Sequence, residues 1–68
     1  MKVQINGEAT ELREGLSISE LLLERKVQMP DMVSIELNGE ILNRANFPQT
    51  QVRNGDRVEF LYFMGGGQ

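Results

Sequence analysis

Asn54-Gly55-Asp56-Arg57-Val58-Glu59-Phe60-Leu61-Tyr62-Phe63 opens on a turn signal, continues as a strand, and runs without a linker into Met64-Gly65-Gly66-Gly67-Gln68. Side chains alternate across a strand with period two. Val58, Phe60 and Tyr62 therefore share one face, and Arg57, Glu59, Leu61 and Phe63 share the other. With Val58 and Phe60 turned toward a core, Leu61 and Phe63 fall on the opposite face, immediately before the glycines. A sheet covered on one side keeps its other side in water, which makes these two residues an exposed apolar patch. The alternative is a covering loop, or a bulge near Leu61 that changes the phase, because a slip of one residue reverses every assignment.

Glycine is costly to order and brings nothing to a core, so Gly65, Gly66 and Gly67 contribute little to stability. They do provide a thin thread that enters channels too narrow for any Cβ. The tail thus has two readings: a frayed end of the ordinary kind, or a reactive group delivered into the active site of another protein.

Working back from this strand, Val33, Ile35 and Leu37 alternate with Ser34 and Glu36, and Asn38-Gly39 supplies a hairpin turn before Glu40-Ile41-Leu42. Phe47-Pro48 suggests an anchored loop between that hairpin and the last strand. Further upstream, Ser17-Ile18-Ser19-Glu20 has capping-box spacing and predicts a helix of about ten residues stopped by Pro30. Ile18, Leu21, Leu22 and Val27 form its apolar face, while Glu20, Glu24, Arg25 and Lys26 point to water and Leu23 lies off the stripe. At the N-terminus Met1-Lys2-Val3-Gln4-Ile5 alternates and meets Asn6-Gly7, a type I′ turn signal, with a returning strand through about Leu12. The order of hairpin, helix, strand pair, loop and final strand predicts an α+β domain with one helix packed on a mixed sheet of four to five strands.

Composition narrows the chemistry. The chain has 68 residues with no Cys, His or Trp, which removes disulfides, thiolate and imidazole catalysis, and zinc sites of the usual ligand types. Its acidic residues are spread singly, so a paired-carboxylate site is not indicated and no metal site is expected. The net charge is −3 and the cations are scattered, unlike the basic stripe of a nucleic-acid binder. Apolar runs are too short for a membrane span or a signal peptide. These features predict a cytoplasmic, non-catalytic protein.

Ser19-Glu20-Leu21-Leu22 at the helix start, Glu36-Leu37-Asn38-Gly39-Glu40-Ile41 at the second hairpin, Asn54 to Phe60 at the last strand and the terminal Gly65-Gly66-Gly67 together resemble the ThiS family of ubiquitin-like β-grasp sulfur carriers and its MoaD-type relatives. The resemblance covers essentially the whole chain. It implies a β-grasp domain over 1–64 with a central last strand, and a flexible tail over 65–68. It also implies a mechanism. A ThiF/MoeB-like adenylating enzyme docks on the domain through Leu61, Phe63 and Met64, takes in the tail, and uses ATP and Mg to activate the carboxylate of Gly67. Sulfur from a donor such as a cysteine desulfurase persulfide then displaces AMP to leave a thiocarboxylate, which thiazole synthase or another acceptor consumes. No cofactor need reside on the chain itself.

One departure stands out: the family's reactive form ends in glycine, and here Gln68 follows. Removal of Gln68 by a JAMM-type peptidase is the expectation, since an unhindered glycine carboxylate explains three glycines best. Toleration of Gln68 by the activating partner, or loss of the carrier role, are the alternatives. Thiamine thiazole formation is the first pathway expected; sulfur amino-acid or molybdenum and tungsten cofactor synthesis would use a similar carrier. A ubiquitin-like binding module or protein modifier is the competing function.

Overall fold

The computed structural model describes residues 1–27 and 32–62. Strand β1 (Lys2–Ile5) and strand β2 (Glu8–Glu11) form the first hairpin, with Asn6 and Gly7 both at positive φ as a type I′ turn requires. Helix α1 (Ile18–Glu24) follows, then β3 (Val33–Leu37), β4 (Glu40–Leu42), a 3-10 turn at Arg44–Asn46, and β5 (Arg57–Tyr62). The sheet order is β2-β1-β5-β3-β4. The sheet has five strands, within the four to five expected, and the last lies at the centre, parallel to β1 and antiparallel to β3.

The capping box at the start of α1 is complete. Glu20 N–H donates to the Ser17 hydroxyl at 3.1 Å, and Ser17 N–H donates to the Glu20 carboxylate at 2.9 Å. The bond from the Ser17 backbone holds the Glu20 carboxyl below its ordinary range against a smaller opposing effect of desolvation, with the Ser17 hydroxyl and the Arg13 charge adding to the lowering.

The helix is shorter than the ten residues predicted, and Pro30 does not end it. It closes at Glu24 in a Schellman motif: Lys26 N–H donates to the Leu23 carbonyl and Val27 N–H to the Leu22 carbonyl, each at 3.1 Å. Lys26 occupies the left-handed position at φ 54°, where glycine is usual. Long-range packing of Val27 on the core outweighs the local preference of lysine.

Val3, Ile5, Val33, Ile35 and Val58 from the sheet meet Ile18, Leu21 and Leu22 from the helix in the core. Leu16, Phe47 and Val52 complete it, and of these only Phe47 stands out in the sequence, as the expected loop anchor. The loop before β5 is stitched to the helix start, with Ile18 N–H donating to Thr50, Ser19 N–H to Phe47, and Val52 N–H to Leu16. This crossing buries Leu16 and Val52. Leu23, off the apolar stripe, is 77% exposed.

The boundary expected after residue 64 falls outside the described residues, as do Phe63, Met64, the tail from Gly65 to Gln68, and the segment containing Met29, Pro30 and Asp31.

Candidate functional site

The candidate site is β5 and the open face of the sheet beside it. The β3–β5 ladder runs in continuous register from Val33 opposite Tyr62 to Leu37 opposite Val58. No bulge resets the phase within it. Val58 is fully buried and Phe60 packs against the core, while Leu61 lies on the open face opposite Ser34 and is 36% exposed. Of the three residues expected to contact a partner, Leu61 lies on the open face, as the alternation predicts; Phe63 and Met64 lie outside the described residues. So do Gly65, Gly66, Gly67 and Gln68, the residues expected to carry or frame the reactive carboxylate.

A further residue joins the open face. Ile41 is 63% exposed and sits opposite Glu36, which in turn sits opposite Glu59. The short run Glu40-Ile41-Leu42 does not reveal which apolar residue is inward. The signal lay in the turn: a two-residue Asn38-Gly39 loop sets Leu37 opposite Glu40, which turns Ile41 outward with Glu36 and places Leu42 opposite Ile35 on the core side.

Between Ile41 and Leu61 the open face carries two like charges directly across from one another, an arrangement that costs stability in a free sheet. Arg57 lies at the start of the same strand, beside Gln4. The face thus offers two apolar side chains around an acidic centre, a pattern that fits a partner presenting apolar surface and cations.

Asparagine side chains tie both ends of β5 to the turns around it. Arg57 N–H donates to Asn38 Oδ1 at 2.8 Å, and Asn38 Nδ2 donates to Asp56 at 3.0 Å. Lys2 N–H donates to Asn54 Oδ1 at 2.8 Å. Nearer the C-terminal end, Phe60 N–H donates to Asn6 Oδ1 at 2.9 Å. The Asn-Gly pairs read from the sequence as turns therefore also carry tertiary bonds, which local pattern does not disclose.

On the helix side, Leu22, Leu23, Val27, Phe47 and Pro48, together with Lys26 and Arg44, line a shallow groove of about 470 Å³. Arg44 donates to the Val33 carbonyl and lies 5.3 Å from the Phe47 ring centre. Among the described residues, no group of three or more acidic side chains is placed to hold a metal ion, and no helix is long and apolar enough to cross a membrane.

Among the described residues, five strands packed on one α-helix, with the last strand central and parallel to the first, define a ubiquitin-like β-grasp protein. The ThiS family model matches residues 3–67, and the chain belongs to that family of sulfur carriers. A crystal structure of the thiamine biosynthesis protein ThiS from Geobacter metallireducens superposes with a TM-score of 0.89 at 48% identity, covering 98% of this chain and all of that one. Among curated proteins, the thiazole synthase of Paramagnetospirillum magneticum is 36% identical over 67 residues, and that of Magnetococcus marinus 29% over 68. The chain spans about a fifth of the length of these two synthases, at 20% and 21%. The ycf40 protein of Porphyra purpurea is 33% identical, with 98% of this chain and 93% of that protein covered.

Proposed function

We propose that this chain carries sulfur for thiamine thiazole formation as a thiocarboxylate on Gly67, formed after the Gly67–Gln68 peptide bond is hydrolysed. The observation that carries this reading is the family match over 3–67, reinforced by 48% identity to a thiamine biosynthesis ThiS over nearly its whole length. Similarity to a segment within two thiazole synthases supports a thiazole synthase as acceptor.

The chemistry follows from the carboxylate's weakness as an electrophile. An oxygen of the Gly67 carboxylate attacks the α-phosphorus of ATP on a ThiF/MoeB-like partner and pyrophosphate leaves. The resulting acyl-adenylate has AMP as a good leaving group. Hydrosulfide then attacks the acyl carbon, AMP departs, and the thiocarboxylate remains. Where a cysteine desulfurase persulfide is the donor, a thiol reductant cleaves the acyl disulfide that forms first. ATP and Mg belong to the activating partner, and this chain supplies the docking surface and the tail. Glycine at the last positions removes hindrance to attack and allows close approach to the nucleotide. Leu61 and Ile41 provide exposed apolar contact on the open face, and in this reading Phe63 and Met64 also contact the partner.

Intact-protein mass spectrometry tests the proposal. The full chain and a chain ending at Gly67 are incubated with the activating enzyme, Mg-ATP and sulfide. A mass change equal to one oxygen replaced by sulfur, confined to the trimmed chain, is the expected result. A change in both chains removes the need for a peptidase. No change in either, while a control carrier is modified by the same enzyme, overturns the proposal.

A further inference from the structure

The parallel contact between β1 and β5 is short. It pairs Gln4 with Arg57 and Ile5 with Val58, and ends with Asn6 N–H donating to the Val58 carbonyl at 2.9 Å. There β1 turns away through Asn6-Gly7, at φ 51° and 84°, into β2. β5 runs on to Tyr62 with β3 as its strand partner. On the side that β1 has left, the next backbone donor along β5 is Phe60 N–H, and it is met by Asn6 Oδ1 at 2.9 Å. The turn residue thus contributes two successive rungs: one from its backbone, and one from its side chain after its backbone has departed.

We propose that Asn6 is a positioning residue for the tail, holding β5 at Phe60 on the side β1 has vacated so that the strand's paired end at Tyr62, from which the tail starts, keeps a fixed place. This rests on the carrier reading above. The five residues from Phe63 to Gly67 span at most about 17 Å, so the tail's reach into a partner depends on where the end of β5 is held. Among the described residues, Asn6 is the partner that meets the Phe60 N–H on the vacated side, and Phe60 stands directly before Leu61, the exposed residue of the open face. Positioning of this kind acts on the reacting geometry rather than on docking. Asparagine suits the place because it tolerates positive φ and its side chain presents an acceptor.

Two substitutions separate the pin from the turn. Asn6→Gly accepts the same backbone angles but removes the acceptor; Asn6→Asp keeps both the angles and an acceptor. In amide exchange by NMR on the free protein, Asn6→Gly is expected to lose protection at Phe60 while Leu21 and Ile35 keep theirs, and Asn6→Asp is expected to retain protection at Phe60. With chains ending at Gly67, Asn6→Gly is expected to lower kcat for thiocarboxylation about fivefold, the worth of one net hydrogen bond, with KM unchanged and kcat restored in Asn6→Asp. An unchanged Phe60 amide in Asn6→Gly overturns the pin. Lost protection with kcat unaltered, or a loss that appears only in KM, overturns the positioning role. A wild-type chain that is never activated, although the Phe60 amide responds as expected, overturns the carrier reading and leaves the pin as a feature of the fold alone.

Discussion

Val58 and Leu61 stand three residues apart on one strand and belong to different worlds. Val58 is at 0% exposure among Ile35, Val33 and the helix, whereas Leu61 is 36% exposed across from Ser34. The covered face contains apolar side chains closed by α1 and by the loop before β5. The open face carries Ile41 and Leu61 around the opposed pair Glu36 and Glu59. A side chain that water cannot reach stabilises the fold by burial; one left in water contributes little to it and is free to meet a partner. The two faces should therefore respond to substitution in opposite ways, one in stability and the other in association.

The largest effect expected is in the core. Ile35→Ala removes a fully buried side chain and should cost about 3 kcal/mol in denaturant unfolding, a large share of what a domain of this size has. A loss below 1 kcal/mol would show that the covered face is loosely packed and would break the contrast. Leu61→Asp should instead cost only about 1 kcal/mol in unfolding and raise KM for the activating enzyme about tenfold. An equal loss of stability would place Leu61 in the core's energetics rather than in docking.

Lys26→Gly tests the lid over the covered face. Glycine at this left-handed position relieves strain and should stabilise the protein by about 0.5–1 kcal/mol in thermal unfolding. On the open face, Glu59→Gln removes a like-charge opposition and should stabilise by about 0.5 kcal/mol, more at low ionic strength than at high. A rise in KM for the activating enzyme in the same variant would sharpen the comparison, because the acidic centre would then serve docking at the expense of the free fold.

The smallest effect expected is at the helix cap. Glu20 has a lowered carboxyl pKa in the folded state, so its contribution is present above the ordinary glutamate range and is lost as pH falls through the folded value. Glu20→Gln, which keeps a side-chain acceptor for Ser17 N–H, should flatten that part of the stability profile. A wild-type profile already flat across this window would show that the box carries no net stabilisation.

Much of both faces was legible before any tertiary contact was known. Asn-Gly at 6–7, 38–39 and 54–55 marks backbone reversals because these residues accept positive φ, and the capping box at Ser17 and Glu20 marks the helix start. Alternation in the last strand correctly divided Val58 and Phe60 from Leu61. The helix end is not legible locally because Pro30 is the strong stop signal nearby, while the actual closure uses Lys26 against its own preference so that Val27 can pack on the core. Leu16 and Val52 gave no periodic signal, since they are buried by a crossing of two irregular segments.

From its amino acids alone this protein specifies what depends on neighbours in the chain: where it turns, where its helix begins, and how its last strand divides into two faces. These are short-range preferences of backbone angle, hydrogen bonding and alternation. The central place of β5, the outward turn of Ile41, the opposition of Glu36 to Glu59 and the bond from Phe60 to Asn6 were decided by the tertiary structure. Each joins residues distant in sequence, and only the sheet order and its register bring them together.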